Sequence, residues 1–218
     1  MENTLEKTPP ESGEIVFSID RSPASFQTKG QSKQQYKDHI VEIVKKAGFL
    51  LSGDIQIYIT WSVHEEKRYE SDASADIDNI IKPLLDALCG PTGIMIDDNQ
   101  VQLVQCSWID SYIRGKEKID IRIIYIPDEF VPKDGLAFVN IKNNLCLPFC
   151  KHHSPKALSI FISGYEQQFT CRDELTKHGL DYYQSRGEMS IQRVFHKTRL
   201  QKFEVMDLDK VRDELIIS

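Results

Sequence analysis

The sequence predicts an α+β fold: a sheet with two helices packed on it, followed by a smaller α+β part. Three observations carry this. Residues 54–64 alternate without a break, with Ile55, Ile57, Ile59, Trp61 and Val63 on one side and Gln56, Tyr58, Thr60, Ser62 and His64 on the other. That is the pattern of a half-buried strand. Residues 33–47 place Tyr36, Ile40, Ile43, Val44 and Ala47 at helical spacing, and residues 78–88 do the same with Ile80, Ile81, Leu84, Leu85 and Leu88. Finally, Pro127, Pro132 and Gly135 interrupt the pattern, which restarts beyond them.

Taken in order, residues 1–13 carry Pro9-Pro10 and Ser12-Gly13 with little apolar content, and read as a flexible arm. Residues 14–20 form a strand with Ile15, Phe17 and Ile19 on one face, and residues 21–25 a loop. The helix over 33–47 ends at Gly48. Its Lys33, Lys37, Lys45 and Lys46 suit either a DNA backbone or simple solubility. Residues 64–74 are polar and read as a mobile loop, whose Lys67 and Arg68 are candidates to meet a substrate. Residues 100–109 and 118–126 are two further strands, joined near Arg114-Gly115-Lys116.

This gives one domain over 14–126, a linker over 127–135 and a second α+β part over 136–218. In the second part, residues 136–141 and 157–163 read as strands. Thr170 with Asp173 resembles a capping box opening a helix that Gly179 ends. Residues 191–195 and 203–206 read as short strands and 207–216 as a last helix.

The chain has 218 residues, 40% hydrophobic and 28% charged, enough for a soluble core. Its longest apolar runs fall far short of a membrane span, and residues 1–6 lack a basic and apolar leader, so the expected compartment is the cytoplasm. Five scattered cysteines, Cys89, Cys106, Cys146, Cys150 and Cys171, fit reduced thiols there. The net charge of −6 is unusual for a nucleic-acid binder. The acid is concentrated in the first part: residues 1–135 hold 15 Lys and Arg against 23 Asp and Glu, residues 136–218 hold 12 against 10.

Much of that acid surrounds two motifs. Asp76 and Asp78 are two apart, so in extended chain they point to one side. Asp78 is also a suitable N-cap for the helix that follows, which would leave Pro83 deep enough to distort the first turn. Lys82 follows Asp78 by one helical turn. Gly90-Pro91-Thr92-Gly93 stops the helix, and Ile94 to Ile96 returns to the core. Asp97 and Asp98 follow where the chain emerges, and only one of these neighbours can easily join the first pair. Crowded carboxylates resist ionising together unless a cation sits among them. A hard divalent ion on such oxygens polarises a phosphodiester and helps generate hydroxide, and a lysine beside it can offset growing charge. Each motif alone is equally what a solvated turn contains; the two together, in this order and spacing, point to a site.

The combination Asp76-x-Asp78-Asn79-x-x-Lys82, Leu85-Asp86-Ala87-Leu88-x-Gly90 and Asp97-Asp98-x-Gln100-Val101 resembles the RusA family of Holliday junction resolvases, endodeoxyribonucleases of bacteria and phages. The resemblance is dense over 74–101 and weaker over about 14–126. It implies a small α+β fold with a mixed sheet and a magnesium-dependent homodimer, manganese being the alternative ion, that nicks branched DNA in pairs. It assigns metal binding to Asp76, Asp78 and Asp98, an important lysine to Lys82, and a secondary acidic position to Asp97. It also brings the loop with Arg21 and Lys29 near the DNA.

Beyond the resemblance, Cys146, Cys150, His152 and His153 have metal-ligand types but lack a second pair unless Cys171 and His178 supply it. Arg193, Lys197, Arg199 and Lys202 form a basic run, so Lys197 and Arg199 are candidate phosphate contacts. Residues 136–218 are a candidate surface for a protein partner. The expected function is metal-dependent cleavage of four-way junctions. The alternatives are a junction-binding module without cleavage and a nucleotide phosphohydrolase.

Overall fold

The computed structural model describes residues 5–21, 31–71, 76–187 and 194–217. The chain divides into two compact units, Met1–Lys133 and Asp134–Ser218.

The first unit is built on a mixed four-stranded sheet in the order β1-β5-β3-β4, with β1 at Glu14–Ile19, β3 at Ile55–Val63, β4 at Val101–Asp110 and β5 at Lys118–Tyr125. β5 runs antiparallel to β1 and β3, while β4 runs parallel to β3. Though Ser62 on the other side is buried too, the alternation read from residues 54–64 places Ile55, Ile57, Ile59, Trp61 and Val63 in the core. They face α1 (Gln31–Val44) and α3 (Ile77–Leu88), which supply Tyr36, Ile40 and Val44, and Ile80, Leu84 and Leu88, to the same core. The opposite face is polar, and there Ser18 donates to Asp120 across β1 and β5 at 2.6 Å. Covering one face and wetting the other is what the alternating strands demand.

Two boundaries differ from the expectation. Residues 5–13 are not a free arm: Leu5 packs on the core, the Tyr125 hydroxyl donates to the Pro10 carbonyl at 2.6 Å, and Gly48 N–H donates to Glu6. Residues 127–133 are not a linker either. β6 (Phe130–Pro132) pairs antiparallel with β2 (Phe49–Leu51), and the Phe130 ring meets Phe49 edge-on. In both places the prolines and glycines shape turns within a packed unit, which composition alone does not distinguish from a linker.

The second unit holds the sheet β10-β7-β8-β9, formed by Val205–Asp207, Leu136–Lys142, Leu145–Cys150 and Phe195–His196. β7 and β8 form a hairpin across Asn143 and Asn144, both at positive φ (51° and 62°), where a two-residue turn requires it and asparagine tolerates it. The strand expected over 157–163 is instead part of α4 (Pro155–Lys177). Ser154 caps it by accepting from Ala157 N–H, Pro155 opens it, and Leu158, Ile162 and Phe169 make its buried stripe against β7 and β8. Thr170 is therefore no cap; its hydroxyl donates one turn back to the Glu166 carbonyl at 2.8 Å. Gly179, at φ +96°, does follow the end of α4. A short helix, α5, spans Tyr182–Gly187 and a last one, α6, Leu208–Ile217; of the strand expected over 191–195, residues 191–193 lie outside the described residues. Among the described residues, no helix is long and apolar enough to cross a membrane.

Candidate active site

Parallel strands cannot be joined by a tight turn and need a crossover. The crossover from β3 to β4 contains both acidic motifs. It begins with α2 (Glu65–Tyr69), a short helix where a mobile loop was expected, capped by His64, whose ring nitrogen accepts from Glu66 N–H. Residues 72–75 lie outside the described residues.

α3 starts two residues earlier than the sequence suggested. Asp76, not Asp78, holds the N-cap position, in extended backbone and without a capping hydrogen bond from its side chain. Aspartate suits either position, so composition could not choose. Asp78 instead lies in the first turn, where the positive end of the helix favours its charge. The two carboxylates thus straddle a helix start, and the same-side argument for extended chain no longer applies to them. Pro83 falls in the helix interior, buried.

The chain leaves α3 through a tight return. Gly90 takes φ +101°, and a Cβ on Gly93 would lie 2.1 Å from the Leu88 carbonyl oxygen, so only glycine fits there. Asp98–Gln100 then form one 3-10 turn. Its anchor is Gln100, fully buried. The Gln100 side-chain oxygen Oε1 accepts from Ile96 N–H at 2.9 Å and Asp97 N–H at 3.0 Å. Its amide donates to the Leu51 and Gly53 carbonyls at 2.9 and 2.8 Å. This turn decides between the two neighbouring acids. Asp97 folds back as the cap and accepts from Asn99 N–H, leaving Asp98 as the one that reaches α3.

Lys82 is the meeting point. Its ammonium lies 2.9 Å from Asp98 and 3.0 Å from Asp86, one turn further along α3. The other oxygen of Asp86 takes Lys37 of α1 at 2.9 Å, so positive and negative groups alternate along Lys37, Asp86, Lys82 and Asp98. Hydrogen bonds that the Lys82 ammonium donates to Asp98 and Asp86 hold its pKa well above the ordinary range. Burial by itself would raise Asp86, but the bonds from Lys37 and Lys82 outweigh it and lower its carboxyl.

Among the described residues, no three His, Cys, Asp or Glu side chains stand together as a ready-made cation site. Asp98 is turned to Lys82, and Asp76 and Asp78 lie exposed at the start of α3. The hard oxygen donors of Asp76, Asp78 and Asp98 nonetheless suit magnesium or manganese in type. The remaining sequence candidates lie elsewhere. Lys67 pairs with Glu117 at 2.6 Å, and Arg68 stacks on the Trp108 ring. Arg21 reaches the Gln35 carbonyl at 3.5 Å, while Lys29 lies outside the described residues. In the second unit Lys197 meets Asp207 at 3.4 Å, with Arg199 in the same 3-10 turn. Sequence reasoning gave no role to Asp86 or Gln100. The usable signal for Asp86 was its place four residues after Lys82, the spacing of a helical ion pair.

Comparison with known families bears on the first unit, which is similar to an endodeoxyribonuclease domain. Residues 21–124, just under half of the chain, match the family model described as Endodeoxyribonuclease RusA. A search of curated proteins finds no match to the chain.

Proposed function

We propose that the chain is a metal-dependent endodeoxyribonuclease that nicks four-way junctions or related branched DNA, working as a homodimer in the cytoplasm of a bacterium or of a phage's host. The observation that supports this best is the meeting of Lys82 with Asp98, one helical turn from Asp78, inside the RusA-matched segment. Asp76, Asp78 and Asp98 would hold magnesium or manganese, which when bound would polarise the phosphodiester and lower the pKa of a water. Asp97 acts on the turn that presents Asp98. Lys82 supplies a fixed positive charge to the phosphate as negative charge grows on it. Arg21, Lys29, Lys67, Arg68, Lys197 and Arg199 are proposed phosphate contacts, and residues 136–218 a surface for widening the DNA interface or for a protein partner.

The test is Asp78→Asn. The variant should fold and bind a synthetic four-way junction as the wild type does, yet fail to cut it when magnesium or manganese is added. Cleavage at the wild-type rate would remove Asp78 from the chemistry. A wild-type chain that binds junctions and never nicks them is a binding module, and one that hydrolyses mononucleotides instead is a phosphohydrolase.

A further inference from the structure

We infer that Asp86 is a positioning residue for Lys82, holding its ammonium in place when Asp98 is drawn to another partner; this rests on the junction-cleaving function proposed above. Lys82 is a long side chain, half exposed, and a single exposed ion pair does not hold such a group still. It has two partners in this structure, and they differ in kind. Asp98 sits at the end of a crossover turn and is the carboxylate expected to serve an incoming cation. Any cation that takes Asp98 loosens its grip on Lys82.

Asp86 has no such second duty. It stands one turn from Lys82 on the same helix, so the backbone fixes their separation. Its other oxygen is held at 2.9 Å by Lys37, which comes from a different helix packed on the same core. The carboxylate is therefore restrained from two sides and cannot swing away with its partner. Sharing matters too. Because Lys37 takes up part of the Asp86 charge, Asp86 can orient the Lys82 ammonium without cancelling it. A phosphate then meets a cation that is both placed and still charged.

The experiment compares turnover of a four-way junction by five variants. Asp86→Asn should lower kcat by about tenfold to a hundredfold, the usual penalty for a misplaced catalytic group, with junction affinity unchanged. Asp86→Glu should recover part of the loss. Lys37→Met cuts the tie between the helices but leaves Asp86 on Lys82, and should lower kcat by clearly less than Asp86→Asn does. Adding Asp86→Asn to Lys82→Met should cost nothing further, because Asp86 acts through Lys82. Wild-type kcat in Asp86→Asn, equal losses in Asp86→Asn and Lys37→Met, or additive losses in the double variant would each overturn the assignment. If the wild type cuts no junction, the proposed function falls, and the 15N signal of the Lys82 ammonium still decides the positioning. Asp86→Asn must broaden or shift that signal, and an unchanged signal refutes the role.

Discussion

The acidic turn of the first unit and the Cys-His stretch of the second make an instructive pair. Both are short runs rich in ligand-type residues. In the first unit, Asp98 meets Lys82 across sixteen positions of sequence because a helix and a returning loop fold onto each other. In the second, Cys146 and Cys150 lie on one strand, about 13 Å apart at the usual rise per residue, too far to share an ion. Cys146 is buried with its thiol pushed up to about 11 by that burial, and its sulfur faces the Asn144 carbonyl. Cys150 and His152 both turn to Asp134. Residue type proposes a site; convergence from separate elements makes one.

The sharpest test of the contrast lies within the acidic turn itself. Asp98→Asn should lower metal-dependent junction cleavage by about a thousandfold. Asp97→Asn should change it only a few-fold, because asparagine caps a turn as well as aspartate does. Equal losses would mean that Asp97 serves the ion directly.

Next in size is the buried anchor. Gln100→Leu leaves four backbone groups without their partner, and should destabilise the first unit by about 4 kcal/mol. Urea unfolding followed by separate probes in each unit would read this, with the second unit's transition unmoved.

A smaller effect concerns pH. Asp86 is lowered in the folded chain, so its contribution is present above the ordinary carboxylate pKa of about 4 and is lost as pH falls through the depressed folded value. Because the group is partly exposed, the contribution should stay below about 1 kcal/mol. The stability gap between wild type and Asp86→Asn should be visible at neutral pH and close in strong acid.

The smallest effect is expected in the second unit. Cys150→Ser, or a chelator, should move its melting by no more than about 0.5 kcal/mol, and added zinc should not raise it. A rise of several degrees with zinc would give the second unit a metal site after all.

How much could be read beforehand depended on how local the cause was. β3 was legible residue by residue because burial on one face imposes a period of two. α1 was legible because its buried stripe runs unbroken from Tyr36 to Val44. α4 was misread over 157–163, although Ser154-Pro155 is a helix opening and Leu158, Ile162 and Phe169 keep helical spacing. A short apolar run fits either element, and only the length of the stripe decides. β8 went unnoticed for the same reason, its Leu145–Cys150 run having no polar alternation.

By itself the sequence determined the class of the fold, the sheet's buried face and the two motifs that resemble the RusA family, because these depend on periodicity and on residue type at fixed spacing. Only the tertiary structure decided that Asp98 rather than Asp97 faces α3, and that Asp86 and Lys37 share in holding Lys82. Those choices hang on where Gln100 finds the Leu51 and Gly53 carbonyls and where α1 lies against α3. Contacts between residues fifty positions apart leave no period in the chain to be read.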